Sequence, residues 1–301
     1  MIKFSLLNNT KYSFLKNINP YLFIAPAILI LLLLLVFPII KVFQFSLYNN
    51  CIIIDKPEWV GLKHFYDLLS DTIFFKAFTN TVIFTFFSVI FHLILGFIFA
   101  LLLNQPINNK ALAYFRIILI LPWIFTATIV AINWRLLLDP MGIINYLLNQ
   151  LGIINSYLEW FGSYSLALPA LILVNIWRGY PFIMVSLLAG LQGIQSNLYK
   201  AAEVDGANEW QKIIYITIPQ LKPIILSVGV LDTIWTFRLF PLIWLTTGGG
   251  PGNSTEMLST YTYKLAFEQF KFSKASALAV VILVVVTSLS YFYVKQQKQL
   301  E

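Results

Sequence analysis

The chain has 301 residues, of which 59% are hydrophobic and 11% charged, with a mean hydropathy of +0.79 and a formal net charge of +7. A soluble domain carries about 25% charged residues, so too few polar side chains are present to cover a water-exposed surface, and the composition points to an integral membrane protein. In that class an excess of Lys and Arg marks cytoplasmic loops rather than nucleic-acid binding, and a single cysteine, Cys51, excludes an intrachain disulfide.

Residues 1–20 are polar, carry Lys3, Lys11 and Lys16, and are expected to form a cytoplasmic amino-terminal segment. The run 21–40 has no charge at all. It is longer than the apolar core of a signal peptide, about 7–15 residues, and no small-residue cleavage site follows it. At about 1.5 Å per residue it can span a bilayer, so it is expected to be an uncleaved first span. Five further spans are expected over 79–103, 113–137, 166–191, 224–245 and 275–294. An open sheet exposed to lipid would leave backbone groups unpaired, and the period-two alternation of a barrel is absent. Lys and Arg fall somewhat more densely on the segments that include 1–20 and 195–223. Both termini and 195–223 are therefore expected on the cytoplasmic side.

The polar stretch 195–223, between two apolar runs, organises this layout. Leu198, Ala201 and Ala202 share one helical face, and Trp210, Ile213, Ile214 and Thr217 share another. Ser196 or Asn197 can cap the first helix. Gly206 stands where the chain must reverse, because glycine alone takes positive φ without penalty. Pro219 and Pro223 are expected to end the second helix and lead into the next span. Periodicity by itself fits an amphipathic connector lying on the membrane surface.

The spacing within the stretch resembles the EAA loop of the membrane subunits of binding-protein-dependent ABC importers. That loop reads here as Tyr199, Lys200, Ala201, Ala202, Glu203, Asp205, Gly206, Ala207, then Ile216, Ile218 and Pro219. One position departs, since the leading acid of the pattern is Lys200. The resemblance extends over most of the chain. It includes WVGLKHF at 59–65, Leu121, Pro122 and Trp134, Gly142 and Asn145, and the LAGLQ stretch at 188–192. It continues through TTGGGPGNST at 246–255, Tyr261, Tyr263, Phe267 and KASA at 274–277. The pattern is similar to that of a maltose-type first permease subunit in the sugar-uptake branch.

The resemblance implies an all-α polytopic membrane protein with six transmembrane helices and the type I ABC importer permease fold, over residues 21–301. It implies that 195–223 docks a short helix on a cytoplasmic ABC ATPase dimer whose ATP-driven closure switches the spans. Lys200 then meets an acidic residue of that partner, or Glu203 takes over the acidic role, or Lys200 is simply solvated. It also implies a homologous second permease subunit and an extracellular sugar-binding protein in a bacterial or archaeal plasma membrane. Gly248, Gly249, Gly250 and Pro251 form either a plain turn or part of the surface where the binding protein docks. The expected function is import of a sugar or oligosaccharide, with a glycerol-phosphate-type importer as the alternative.

Residues inside the spans are candidates for the pathway. Asn175, Arg178 and Tyr180 lie in the fourth expected span, and Asp232, Trp235, Arg238 and Trp244 lie in the fifth. Ionisable groups at this depth are costly and face a cavity or a partner. Aromatic faces with a few polar groups suit a sugar, but pairing between helices would also explain them. His92, in the second expected span, reads as a helix-packing residue. No G-x-x-x-x-G-K-[ST] phosphate loop and no nucleophile signature is present, so ATP and magnesium are expected on partner subunits and no cofactor or metal in this chain. A self-contained channel or secondary transporter would require inverted repeats or broken helices, and neither is legible in the sequence.

Overall fold

The structure is a computed structural model that describes residues 23–49, 52, 56–105 and 108–297. The expected cytoplasmic segment 1–20 lies outside these residues, as do Cys51 and residues 298–301. Among the described residues the chain is helical, with one isolated β-bridge between Tyr48 and Trp59.

The membrane helices are α1 (Phe23–Ser46), α3 (Thr72–Leu103), the pair α4 (Asn109–Ile124) and α5 (Ala127–Leu137), α7 (Ala167–Gly193), α9 (Glu209–Phe237) and α12 (Phe272–Gln297). Short helices connect them: α2 (Lys63–Leu69), α6 (Ile143–Gln150), α8 (Ser196–Val204), α10 (Pro241–Thr246) and α11 (Leu258–Tyr263). Among the described residues five single helices are long and apolar enough to cross a membrane, and six spans result if the bent pair is counted as one.

The centre of the fold is α3 against α7. Close approach is possible because glycines stand at the contact: a Cβ on Gly96 would lie 2.7 Å from Ile183, and one on Gly179 would lie 2.3 Å from the His92 ring. Helix α9 crosses both of them, and α12 packs on α1, α2 and α9. At the end bearing 195–223, Ile183, Met184, Leu187 and Leu221 are buried together. At the opposite end Leu68, Leu258, Leu265 and Leu278 fill the core. No residue of α1 is buried within its most apolar stretch.

Two expectations about the spans are corrected. The third span, expected as one helix over 113–137, bends by 97° between α4 and α5. Phe125 and Thr126 are extended, with ψ of 136° and 153°, and Thr126 Oγ1 then caps α5 by accepting from the Ile129 N–H. Pro122, inside α4, has no N–H to give and weakens the ladder just before the break. A broken helix is therefore present, contrary to the sequence reading. The fifth span was expected to start after Pro219 and Pro223 had ended a helix and to run to 245. Instead α9 is continuous from Glu209 to Phe237. A π-turn over Ile213–Thr217, in which the Ile218 N–H bonds to Ile213 O, shifts the hydrogen-bond register where Pro219 has no donor. The helix stops at Phe237, so Arg238 lies at its end and Trp244 lies on α10.

Candidate functional site

The stretch 195–223 forms α8 and the first turns of α9. Gly206, at φ +79°, makes the reversal between them. Asn208 and Gln211 form a reciprocal capping box that starts α9. Two sets of bonds tie the helices together. The Tyr199 and Thr217 hydroxyls lie 2.9 Å apart, and Lys212 Nζ donates to Glu203 Oε1 at 2.8 Å and Glu209 Oε1 at 2.9 Å. Lys212 is buried among these partners. The hydrogen bond from Lys212 holds the Glu203 carboxyl below the usual carboxylate range. Glu203 nevertheless remains on the exposed face with Lys200, Ala201, Asp205 and Gly206, while Tyr199, Ala202 and Ala207 are half-buried. The exposed Pro219 follows the π-turn.

A cavity of about 300 Å³ lies between α3, α7 and α9. Its lining includes His92, Trp123, Asn175, Arg178, Phe182, Asp232, Trp235 and Arg238. Four of the six expected pathway residues, Asn175, Arg178, Trp235 and Arg238, are thus brought to one space. The other two are not. The Tyr180 hydroxyl donates to Leu119 O at 3.1 Å and its ring packs on Phe99, which makes it a bridge between α7 and α4. Trp244 stacks on Phe240 and meets Tyr263 at 4.5 Å between ring centres.

His92 is the residue whose surroundings the sequence concealed. Its Nδ1 lies 2.7 Å from Asp232 Oδ2 and its Nε2 lies 2.9 Å from Asn175 O, so it joins three helices. The sequence contained a signal, because a buried acid and a buried imidazole in two different spans can satisfy each other. The 140 positions between them hide the pairing. Trp123 and Phe182 were also missed. Trp123 follows the Leu121-Pro122 pair, and Phe182 follows Pro181 on α7.

The Gly-rich stretch 246–255 is a folded corner rather than a free loop. Gly249 is buried, and Gly248, Gly250 and Pro251 are half-buried. Gly249 adopts φ +88°, and a Cβ there would lie 2.2 Å from Glu256 Oε2. Glu256, fully buried, accepts from Lys264 Nζ at 2.5 Å and from Thr260 Oγ1 at 2.7 Å. From α3, Asn80 Nδ2 donates to Asn253 O and Glu256 O, and Lys76 donates to Gly252 O. Asn145, singled out by the motif comparison, organises the neighbouring loop. It accepts from Trp160 Nε1 at 3.0 Å and donates to Leu158 O at 2.8 Å.

Residues 81–298 match the family described as binding-protein-dependent transport system inner membrane component. The chain is 34% identical over 279 residues to the trehalose/maltose transport system permease protein MalF of Thermococcus litoralis, covering 91% of this chain and 92% of that protein. It is 32% identical over 288 residues to the lactose transport system permease protein LacF of Rhizobium radiobacter, covering 94% and 96%. The fold superposes with a TM-score of 0.83 on a chain of a bacterial ABC transporter involved in import of the acidic polysaccharide alginate, at 26% identity and covering 95% of this chain and 99% of that one. A structure of a bacterial alginate ABC transporter in complex with an alginate pentasaccharide-bound periplasmic protein gives a TM-score of 0.82 at 25% identity, covering 98% of each chain. The chain has the fold of an ABC importer permease and belongs to the family of inner membrane components of binding-protein-dependent transport systems.

Proposed function

We propose that this chain is one half of the translocation pathway of an ATP-driven importer that carries a saccharide across the plasma membrane, with both termini in the cytoplasm. The cavity between α3, α7 and α9 carries the reading. It combines aromatic faces from Trp123, Phe182 and Trp235 with polar groups from Asn175, Arg178 and Asp232, the mixture that a sugar ring with hydroxyls requires. The names of the relatives, which are transporters of trehalose, maltose and lactose, support a sugar as cargo. A homologous second permease subunit closes the pathway from the other side.

The exposed face of α8, with Lys200, Ala201, Glu203 and Asp205, docks on a cytoplasmic ATPase dimer that binds ATP and magnesium. The internal bonds of Tyr199 and Lys212 make this element stiff enough to pass a displacement into α9, to which it is joined by the turn at Gly206. An extracellular binding protein delivers the cargo at the end of the molecule that carries Gly248, Gly249, Gly250 and Pro251. There the half-buried corner positions its surroundings rather than offering a flexible grip, and Gly252 is its exposed residue.

The test is reconstitution. An ATPase and a second permease should co-purify with this chain, and proteoliposomes holding all of them with the binding protein should take up a saccharide only when ATP is present. Transport by this chain alone would overturn the reading. Replacing Lys200 with Glu in the same system reports on docking. Altered coupling of ATP hydrolysis to cargo places Lys200 against the ATPase, and unchanged coupling makes it a solvated side chain.

A further inference from the structure

The cavity holds four ionisable side chains, and a count of donors separates them into two groups. Both ring nitrogens of His92 face acceptors, the Asp232 carboxyl at 2.7 Å and Asn175 O at 2.9 Å. A neutral imidazole donates from one nitrogen only. Both contacts are satisfied when His92 and Asp232 hold two protons between them, as imidazolium with carboxylate or as imidazole with carboxylic acid. Either form is neutral overall. Asp232 is therefore already compensated, and its Oδ1 faces the Thr236 hydroxyl at 3.5 Å.

The two arginines remain. Among the described residues neither Arg178 nor Arg238 has an acid within ion-pair distance. Two buried side-chain atoms in this cavity have no hydrogen-bond partner, Asn175 Nδ2 and Arg178 Nε, and both are donors. Asn175 is only 2% exposed, so bulk water does not serve it. An ionisable side chain inside a membrane protein faces a cavity or pairs with another charge or a backbone carbonyl, and such positions mark substrate pathways. A sugar hydroxyl both donates and accepts, whereas a deprotonated oxyanion only accepts. Two arginines without an ion-pair partner, with open donors on Arg178 and Asn175, match the oxyanion.

We propose that the cargo is an acidic saccharide whose anionic group, a carboxylate, sulfonate or phosphate ester, is held in this cavity by Arg178, Arg238 and Asn175 Nδ2 while its ring lies against Trp123 and Trp235. Arg178 and Asn175 stand one helical turn apart on α7, and Arg238 enters from the end of α9. A guanidinium is suited to oxyanions of all three kinds because its fork of donors matches two oxygens at once. His92 is a positioning residue: it fixes the Asp232 carboxyl and the Asn175 backbone, and so sets the direction of the Asn175 amide. The inference rests on the saccharide reading given above.

The test uses the whole complex, with its second permease and ATPase subunits, in lipid nanodiscs. Binding is measured calorimetrically for probe pairs that differ only in the anion: glucuronate, glucose 6-phosphate and 6-deoxy-6-sulfoglucose, each against glucose. At least one anionic probe should bind about tenfold more tightly than glucose, the increment of a charge-assisted hydrogen bond. That preference should fall with added salt. Arg178→Gln and Arg238→Gln should each lower the preference, and Arg178→Lys should restore part of it. The identity of the preferred probe assigns the anion. Glucose binding as tightly as every anionic probe would overturn the anion assignment and leave the saccharide reading standing. Binding of no probe by a complex that hydrolyses ATP would overturn both. If the wild-type complex shows no preference and Arg178→Gln releases the second permease subunit, Arg178 belongs to the subunit contact and the proposal falls.

Discussion

The corner around Glu256 and the cavity around Asn175 are both buried polar clusters that draw on α3, yet they are completed to different degrees. In the corner, Glu256 binds Lys264 and Thr260, Asn80 donates to two carbonyls, and Thr81 Oγ1 accepts from the Leu258 N–H at 3.0 Å. In the cavity, His92 and Asp232 satisfy each other, while Asn175 Nδ2 and Arg178 Nε remain open. A completed cluster stores stability and specifies a shape. An incomplete one carries the cost of open donors until something else supplies the acceptor. On the proposal above, the corner does structural work and the open part of the cavity binds the cargo.

The comparison breaks first, and with the largest effect, at His92. His92→Ala leaves the buried Asp232 without its partner, and stranding one member of a buried pair costs about 3–5 kcal/mol. Asp232→Asn should cost far less, because the amide can donate to His92 Nδ1 while Nε2 keeps its bond to Asn175 O. Thermal unfolding of the purified complex measures both. Equal losses in the two variants would mean that the pair is not neutral in the way the donor count requires.

The corner is probed next by Gly249→Ala. The residue sits at φ +88°, and its new Cβ would meet Glu256 Oε2 at 2.2 Å. Held in a left-handed conformation against a pinned carboxylate, the variant should lose about 1–3 kcal/mol. Gly252→Ala also has positive φ, but its nearest neighbour would be the Tyr164 ring at 3.5 Å, so it should lose less. A fully tolerated Gly249→Ala would mean that the corner is looser than its bonds indicate.

A smaller effect is expected from pH at the end of the molecule that holds the corner. Burial pushes the Asp71 carboxyl up, but hydrogen bonds from Lys274, Tyr261 and the Ile73 N–H outweigh it and hold the group below the usual carboxylate range. Burial, with the neighbouring Asp71, pushes the Tyr261 hydroxyl up, so it remains a donor. Because the folded value lies below the unfolded value of about 3.9, the stability from Asp71 is complete above about pH 4 and is lost as pH falls through the folded value. Asp71→Asn keeps a residue able to cap α3 and should flatten the fall in unfolding temperature between pH 5 and pH 3. Identical slopes in the two proteins would remove Asp71 from the acid response.

These contrasts also show what was legible in the sequence. Span number and the two helices of 195–223 with their turn at Gly206 follow from local runs and spacings, and a run of apolar residues is read without knowing its neighbours. Composition does not give direction. Phe125 and Thr126 lie in a mostly apolar stretch, so the only traces of the 97° bend between α4 and α5 are Pro122 and the capping Thr126. The opposite error occurs at Pro219, where two prolines suggest an end and a π-turn carries the helix through. Asn175, Arg178, Trp235 and Arg238 could be singled out because polar and aromatic residues stand out in a span. Tyr180 and Trp244 stood out in the same way, and only tertiary contacts separate them. The Gly-rich stretch reads as a loop because the partners that bury it, Asn80 and Lys76, lie more than 170 positions away.

The smallest expected change in stability is the most informative. Asn175→Ala removes an amide nitrogen that has no partner, and it leaves the backbone oxygen that His92 uses. Removing an unpartnered buried donor relieves its desolvation cost while opening a small void, and the two effects oppose each other, so the complex should unfold at nearly the wild-type temperature. If the open donor exists for the cargo, transport should weaken by about tenfold, the increment of a lost hydrogen bond to a charged group. Asn80→Ala at the corner should give the reverse result: a lower unfolding temperature with the affinity of the cavity for cargo unchanged. Measuring both variants for unfolding and for substrate concentration at half-maximal uptake places each cluster on one axis or the other. An Asn175→Ala complex that transports normally would show that the open amide is an imperfection of packing, and the distinction between the two clusters would then describe their bonding without describing their function.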